Sequence, residues 1–272
     1  MRGVKGSTTR REVLQWAGVA LFAQTGQAAT LPVQNTGLEH FGLTVPDPEA
    51  AARFYGRIFD PQLFQERDPP PRFYVKLGTG YFAFGGNKDA VPHIDHFCAL
   101  VDGYKQGELR KLLEDAAVPM GAGPLGMAAD PDGLRFQTLA VPGGLARTIV
   151  PAFRISQDEP LFQVIAPQHM ILRVSDVQKS TEHYRKLFGK ETSAKAPRVV
   201  FGVARTQLIL EPVSAGEKPS IYAIGLRVAG FDRRTAVEKL KRIGVEALPA
   251  PEKNAVRFRD SYGFVIDLKG DA

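Results

Sequence analysis

The chain contains 272 residues but only one cysteine, Cys98. A single cysteine excludes an internal disulfide, so stability in an oxidising compartment has to come from packing alone. The sequence also lacks a basic run interleaved with aromatic residues, which argues against a nucleic-acid-binding surface. The apolar run from Trp16 to Ala23 is far too short to cross a bilayer as a helix. With 44% hydrophobic residues, the composition is that of a globular protein with enough apolar side chains for a core.

The first 29 residues differ in composition from the rest of the chain. Arg10 and Arg11 precede the apolar run, and small residues around Ala28 follow it. A basic region, a short apolar region and a small-residue cleavage site form the pattern of a secretory signal, and the paired arginines resemble those of twin-arginine signals. We therefore expect residues 1–29 to be a twin-arginine-type signal peptide and the mature protein to be periplasmic or secreted, without stable membrane insertion. An ordinary amphipathic N-terminal helix is the alternative.

The net charge of +6 is unevenly distributed along the chain. Residues 30–165 carry 12 basic and 16 acidic side chains, a net charge of −4. Residues 166–272 carry 19 basic and 12 acidic side chains, a net charge of +7. The opposite signs could help the two halves to dock, or the basic half could attract an anionic ligand. A solvated basic surface is the simpler interpretation.

A short strand pattern recurs four times, and each copy is followed within a few residues by an amphipathic helical pattern. The copies are Glu39–Val45, Asp95–Val101, Gln168–Val174 and Tyr222–Val228. After the first copy, Asp47-Pro48-Glu49 has the composition of a helix start. Internal repeats indicate an architecture before any propensity argument is made.

Nearly constant offsets between landmarks indicate a duplication of the whole domain. Three pairs of landmarks have almost the same separation along the chain: His40 and His169, His96 and Ala223, and the turn residues Gly133 and Gly263. The sequence therefore predicts an α+β protein of four βαβββ units. These units form two tandem domains with curled mixed sheets, residues 38–141 and 167–269. A linker, residues 142–166, joins them and has room for one short strand.

These features resemble the vicinal oxygen chelate superfamily, which includes glyoxalases, extradiol ring-cleaving dioxygenases and bleomycin-binding proteins. The resemblance covers both predicted domains. It is carried by the histidine-containing first strands, by the helix ends Phe54–Phe59 and Tyr184–Gly189, and by the turn Asp130–Gly133. It implies that paired units curl their strands into a cup. It also implies that first and last strands supply the ligands of a divalent metal inside that cup.

In the first domain, the resemblance places His40, Gly85, His96 and Gln137 at the metal-ligand positions. Two imidazoles and a carboxylate would form the facial triad of ferrous dioxygenases. Gln137 instead has a neutral amide, which does not offset the charge of a dication. A weakened metal site, a site completed by another carboxylate, and a relic all remain open.

Two neighbouring carboxylates, Glu39 and Asp95, are the candidates to complete that site. Strict alternation along a strand predicts that both point away from the histidines that follow them. Cys98 shares a strand face with His96, and we interpret it as a small core residue at the border of the cup. Phe73 and Tyr81 are expected to wall the cup and contact substrate.

In the second domain, the resemblance places His169, Glu211, Ala223 and Asp267 at the equivalent positions. One histidine and two carboxylates suit a harder ion such as Mn²⁺, Mg²⁺ or Fe²⁺. The basic surroundings of this half act against a dication. We expect this to be the weaker of the two metal sites.

Two classes of function follow. The first is a metal-dependent enzyme, in which Fe²⁺, Mn²⁺, Zn²⁺ or Ni²⁺ binds a small substrate through two neighbouring oxygens, with lyase, isomerase and ring-cleaving dioxygenase chemistry all open. The second is a metal-free protein of the bleomycin-resistance type, which binds or sequesters a small molecule. In either case the partner is a small molecule, and the two domains pack within one chain or are exchanged between the chains of a homodimer.

Overall fold

Four helices and sixteen strands make up the described part of the chain, which in the computed structural model comprises residues 30–122, 126–140, 149–250 and 252–270. The predicted signal peptide lies outside these residues. The first half contains β1 (Asn35–Thr44), α1 (Pro48–Ile58), β2 (Gln62–Glu66), β3 (Phe73–Leu77), β4 (Gly80–Gly85), β5 (His93–Val101), α2 (Gln106–Asp115), β6 (Met127–Ala129), β7 (Arg135–Leu139) and β8 (Ile149–Arg154). The second contains β9 (Val164–Val174), α3 (Val177–Phe188), β10 (Ser193–Lys195), β11 (Arg198–Val203), β12 (Thr206–Pro212), β13 (Ser220–Val228), α4 (Arg233–Arg242), β14 (Ala247–Leu248), β15 (Ala255–Arg259) and β16 (Val265–Lys269). Within the described ranges, every helix is too short or too polar to cross a membrane.

Three of the four helices begin at an aspartate. Asp47 accepts a hydrogen bond from the backbone N–H of Ala50, as the sequence predicts, and Asp176 and Asp232 cap α3 and α4 in the same way. Each cap satisfies a backbone donor that the helix itself leaves without a partner. Helix α2 follows Lys105, whose side chain makes no capping hydrogen bond.

The strands form two eight-stranded mixed sheets, which confirms the predicted α+β fold of two tandem domains. The first sheet has the order β6-β7-β5-β1-β4-β3-β2-β8, and the second has the order β10-β11-β12-β9-β13-β16-β15-β14. In each sheet the two long strands, β1 with β5 and β9 with β13, pair antiparallel at the centre. Each long strand also pairs parallel with a later strand of its own unit.

The strand registers agree with the duplication predicted from the sequence offsets. Gly85 lies opposite Thr44 in the β1–β4 pair, and Glu211 lies opposite Arg173 in the equivalent β9–β12 pair. Gln137 lies opposite Cys98 in the β5–β7 pair, as Asp267 lies opposite Gly225 in the β13–β16 pair. Residues at matching sequence offsets therefore occupy matching places in the two sheets.

The main core is shared by both halves of the chain. One continuous cluster of buried side chains includes residues of both sheets and of all four helices, for example Ile58, Leu113, Leu187 and Leu240. The opposite face of each sheet has only a small apolar cluster, around Tyr81 in the first sheet and around Ala223 and its neighbours in the second. We call this opposite face the cup face.

Two tyrosine hydroxyls, one from each half, donate hydrogen bonds across the core to the other half. The hydroxyl of Tyr55 on α1 donates to Oδ2 of Asp260 at 2.9 Å. The hydroxyl of Tyr184 on α3 donates to Oδ2 of Asp130 at 3.3 Å. Each aspartate begins the turn that precedes the last strand of its domain. A tyrosine of each half is therefore hydrogen-bonded to this turn in the other half. We call this pair of bonds the tyrosine clasp.

The segment between the two predicted domains contains the short strand for which the prediction left room. Residues 149–154 form β8, which pairs with β2 at the edge of the first sheet. The second sheet begins at Val164, slightly earlier than the predicted domain start. Residues 141–148 lie outside the described ranges.

Candidate metal centre

Each central strand has a bulge just before the repeat position. In β1, Leu38 pairs with Ala99 and His40 pairs with Cys98, so Glu39 is an extra residue in the ladder. In β5, Asp95 is extra in the same way, before His96. A bulge re-aims side chains, because two residues of one strand face a single residue of its neighbour.

The bulges turn the two carboxylates toward their histidine neighbours. Oε2 of Glu39 lies 2.9 Å from Nδ1 of His40. Oδ2 of Asp95 lies 2.7 Å from Nδ1 of His96. The prediction that Glu39 and Asp95 point away from the histidines is therefore wrong, since strict alternation fails at a bulge.

The two imidazoles face each other through their other nitrogens. Nε2 of His40 lies 3.3 Å from Nε2 of His96. An ionised carboxylate only accepts hydrogen bonds, so Nδ1 of each ring has to be the donor. A neutral ring with its proton on Nδ1 has an unshared electron pair on Nε2. Two such pairs at this distance repel each other unless a cation lies between them.

The spacing of these nitrogens suits a metal ion as that cation. Imidazole nitrogens bind zinc-sized ions at about 2.0–2.1 Å. Two ligands of one ion are then about 2.8–3.0 Å apart at octahedral angles and about 3.3–3.4 Å apart at tetrahedral angles, and the observed 3.3 Å matches the tetrahedral spacing. A proton is the other cation available, but burial lowers the pKa of His40, and the hydrogen bond to Glu39 only partly opposes this. Protonation of the His40 ring is therefore disfavoured.

A glycine under the second ring makes this arrangement possible. Gly42 lies opposite His96 in the β1–β5 ladder. A Cβ atom at Gly42 would be 2.3 Å from Cε1 of His96, closer than any real contact. The imidazole therefore lies flat over the glycine backbone, with its Nε2 directed at His40.

Three other side chains of the first cup face surround His40. Gln137 is a hydrogen-bond partner of the ring. Tyr81 is stacked on it, with ring centroids 4.8 Å apart. Cys98 is fully buried, and the possible ligand atoms of Glu39, His40 and Cys98 all lie within 4.8 Å of one another. The structure thus brings together His40, His96, Gln137 and Tyr81, all of which the sequence nominated.

The surroundings of Asp95 and Cys98 shift the pKa values of these two groups in opposite directions. Burial opposes ionisation of Asp95, but the hydrogen bond from His96 and the charge of Arg135 bring the pKa of Asp95 below its ordinary value. Burial and the charge of Glu39 raise the pKa of the Cys98 thiol well above its ordinary value. Without a metal ion, Cys98 is therefore a neutral thiol.

Two other nominated positions contribute no donor to this cluster. Gly85 has no side chain, and a Cβ there would contact Arg72. Phe73 lies in the main core on the opposite face of β3, while its neighbour Tyr74 packs with Tyr81 on the cup face. The prediction that Phe73 walls the cup is wrong by one position, because two adjacent aromatics in a strand do not reveal which faces the core.

In the second domain, arginines occupy the predicted ligand cluster. Asp267 lies 3.1 Å from Nε2 of His169, but both its oxygens also accept hydrogen bonds from Arg257 at 2.7 Å. Glu211 accepts a hydrogen bond from Nε of Arg198 at 2.6 Å. The fourth nominated position, Ala223, is buried and offers no donor.

These donors do not fit a divalent cation, because guanidinium groups already supply the positive charge. Burial opposes ionisation of Asp267, yet Arg257 and His169 bring the pKa of this carboxyl below its ordinary value. The position equivalent to Arg257 in the first domain is Met127, which lies opposite Gln137 as Arg257 lies opposite Asp267. The first cup face thus lacks this guanidinium. Arg257 was not among the residues predicted from the sequence. The duplication offset could have pointed to it, because Arg257 is separated from Met127 by the same number of residues as Gly263 is from Gly133.

The fold has known counterparts among solved structures. A Mn(II)-bound glyoxalase from Novosphingobium aromaticivorans is similar over 88% of this chain and 83% of its own, with 14% identity and a TM-score of 0.66. A catechol 2,3-dioxygenase is similar over 88% and 94%, with 16% identity and a TM-score of 0.64. The 2,3-dioxygenase LapB from a Pseudomonas species is similar over 89% and 94%, with 12% identity and a TM-score of 0.67.

This chain has the vicinal oxygen chelate fold. The neighbours are glyoxalase and dioxygenase structures of that superfamily, which confirms the predicted resemblance at the level of architecture. No family model and no curated protein sequence matches the chain. At these identities the likeness establishes the fold, and the chemistry has to be argued from the site.

Proposed function

We propose that the chain is a metal-dependent vicinal oxygen chelate protein in which Nε2 of His40 and Nε2 of His96 bind one divalent ion. The observation that carries the proposal is the 3.3 Å separation of these two atoms, with both Nδ1 atoms turned to carboxylates. Gln137, a hydrogen-bond partner of His40, would supply a third donor through its amide oxygen. Fe²⁺, Mn²⁺, Zn²⁺ and Ni²⁺ are the candidate ions, since imidazole and amide donors suit this set.

The ion, when bound, would act as a Lewis acid toward a small substrate with two neighbouring oxygen atoms. Glu39 and Asp95 hold the two imidazoles in the Nδ1–H form, which leaves both Nε2 atoms free to bind. Their carboxylates also offset the positive charge that the neutral Gln137 leaves uncompensated. Tyr81, stacked on His40, fixes the plane of that ring.

Metal content tests this proposal. Mature protein purified without chelator, or reconstituted with added ion, should contain about one equivalent of metal per chain, as one His-bound centre requires. His40→Ala and His96→Ala should each lose it. His169→Ala is the matched control, because it removes the equivalent histidine of the second domain and should keep the metal. A wild-type protein that takes up none of the four ions would favour the metal-free binding function instead.

A second readout tests the link between metal and substrate. Catechol has two neighbouring oxygens and can therefore chelate an ion that has open positions. We expect catechol to bind the metal-loaded wild type and not the chelator-treated protein or His40→Ala. Equal binding to all three would contradict a role for the ion in substrate recognition. The proposal covers lyase, isomerase and ring-cleaving chemistry alike.

Export is a separate part of the proposal. The composition of residues 1–29, with Arg10 and Arg11 before a short apolar run, supports a twin-arginine signal. Replacing both arginines with lysine should leave an uncleaved precursor in the cytoplasm of an expression host. Normal processing of that variant would contradict this route.

A further inference from the structure

Three arginines converge on one cavity beside the cup face of the second domain. The cavity has a volume of about 410 Å³ and is lined by Arg173, Pro197, Arg198, Glu211, Pro212, Ser214 and Arg257. A volume of this order lies within the range of small-molecule sites. The cavity belongs to a different domain from His40 and His96.

The arginines retain hydrogen-bond donors that their ion pairs do not use. Each guanidinium has five N–H groups. Arg198 pairs with Glu211 through Nε, and Arg173 pairs with Glu217 through one terminal nitrogen. Arg257 uses Nε and one terminal nitrogen on Asp267. Each of the three therefore has N–H groups left for a ligand.

Cations outnumber anions among the side chains that line the cavity. Of the carboxylates paired with these arginines, only Glu211 lines the cavity. The side chain of Asp267 is only 1% exposed and lies behind Arg257, whereas that of Glu217 is 50% exposed to solvent. Three cations thus face one anion within a half of the chain that has a net charge of +7.

Tyr222 holds two of the guanidinium groups in place. The guanidinium carbon of Arg173 lies 3.4 Å from the centre of the Tyr222 ring, and that of Arg257 lies 5.5 Å from it. Cation–π contacts of this kind order the arginine side chains before a ligand arrives. A preorganised site loses less conformational entropy on binding.

We propose that this cavity binds a small organic carboxylate. The planar guanidinium fork matches the two oxygens of a carboxylate. Pro197 and Pro212 offer apolar surface to the rest of such a molecule. Arg257 pairs with Asp267 where the first domain has Met127 opposite Gln137, so the second cup face offers guanidinium groups that suit an anion rather than a cation.

Benzoate is the probe for this proposal, with benzamide as its uncharged isostere. Both are titrated calorimetrically, at constant ionic strength, into the mature chain that has been stripped of metal and then freed of chelator by dialysis, so that a metal in the first domain has no part in the result. We expect benzoate to bind and benzamide not to. Arg198→Gln should weaken benzoate about tenfold, the effect of one charge-assisted hydrogen bond. Arg205→Gln, at the exposed β11–β12 turn, should leave the affinity unchanged.

Glu211→Gln separates anion binding from a general loss of structure. This variant removes the one carboxylate of the cavity and frees Arg198, so benzoate affinity should rise severalfold. Equal binding of benzoate and benzamide, or a weaker affinity in Glu211→Gln, would overturn the proposal. Inorganic phosphate that binds in an Arg198-dependent way where benzoate does not would also overturn it, in favour of a phosphate site.

Discussion

Gly42 in β1 and Gly225 in β13 each lie under an imidazole ring of the neighbouring long strand. A Cβ at Gly42 would be 2.3 Å from His96, and a Cβ at Gly225 would be 2.1 Å from His169. In both cases the atom in conflict belongs to a side chain, which can move. Gly42→Ala should therefore displace the ring of His96 and lower metal content by about tenfold or more, since the second imidazole ligand is lost. Metal analysis of the folded variant is the measurement.

Two other glycines provide controls for that variant. Gly225→Ala should displace His169 in the same way but leave metal content unchanged, because the second domain holds arginines where a metal would lie. Gly107 in α2 has no atom within 4 Å of a Cβ, so Gly107→Ala should be neutral or slightly stabilising. Loss of metal in Gly225→Ala would contradict the assignment of the metal to the first domain.

His183 on α3 is a partly buried base that lies apart from the proposed metal centre. Burial, assisted by the charge of Lys186, lowers the pKa of His183 to about 4, and its ring packs against Phe136 and Tyr184. The unfolded chain takes up a proton near pH 6.5, while the folded chain does so only near pH 4. Stability is therefore lost as pH falls through this window, by at most about 3 kcal/mol.

Urea unfolding of His183→Gln at pH 7 and pH 4.5 tests this expectation. The variant cannot take up the proton, so its stability should fall less than that of the wild type between the two pH values. An equal fall in both proteins would show that the histidine makes no contribution.

The sequence predicted the residues of the candidate metal centre better than their orientation. His40, His96 and Gln137 could be nominated because the repeat offsets and the resemblance marked their positions. The orientation of Glu39 and Asp95 toward the histidines could not be predicted, since it depends on one extra residue in each of the two paired strands. A local sequence pattern does not reveal a bulge when the strand alternates acceptably both with and without the extra residue.

At the scale of elements, helix starts are the best predicted feature, because their signal is local. Asp47 and Pro48 lie within one turn of the contacts they make, and the structure has the predicted cap. Strand faces were harder to predict. Phe73 was predicted to face the cup, but its neighbour Tyr74 does so instead. The choice between those residues depends on β4 and β8, which lie elsewhere in the sequence.

The missing cap of α2 gives a prediction about this helix. Lys105 has an extended N-cap backbone but no side-chain hydrogen bond. Lys105→Ser should add that bond and stabilise the protein by about 1 kcal/mol. Asp47→Ala, which removes an existing cap from α1, should destabilise it by a similar amount. Thermal unfolding measures both, and a lower melting temperature for Lys105→Ser would contradict the cap argument.

At the scale of the whole molecule, the shared core predicts that both halves unfold together. Calorimetry should show a single transition whose calorimetric and van't Hoff enthalpies agree. Tyr55→Phe removes one bond of the tyrosine clasp and leaves a buried oxygen of Asp260 with one partner fewer, so it should cost about 1–2 kcal/mol. Tyr184→Phe removes the longer bond and should cost less.

Two resolved transitions would contradict the shared core. So would a Tyr55→Phe variant in which one transition shifts while another stays at its wild-type temperature.

The duplication was predictable at this scale because equivalent landmarks in the two halves keep a nearly constant separation along the sequence. The different chemistry of the two cup faces was only half predictable. The missing carboxylate of the first domain and the missing second histidine of the second domain are visible in the sequence. That Arg257 reaches Asp267 is not, because it depends on pairing between β15 and β16.

The tyrosine clasp has the form of a self-complementary contact within one chain. Tyr184 is the duplicate of Tyr55, and Asp260 is the duplicate of Asp130, since both pairs have the sequence offset that relates the two domains. A half-length ancestor with one tyrosine and one aspartate would make both bonds only by meeting a second copy of itself, as in a twofold-symmetric pair. Fusion of the two copies would turn a concentration-dependent association into an intramolecular one. Each half would then be free to diverge, so that one cup face has a pair of histidines while the other has arginines beside His169.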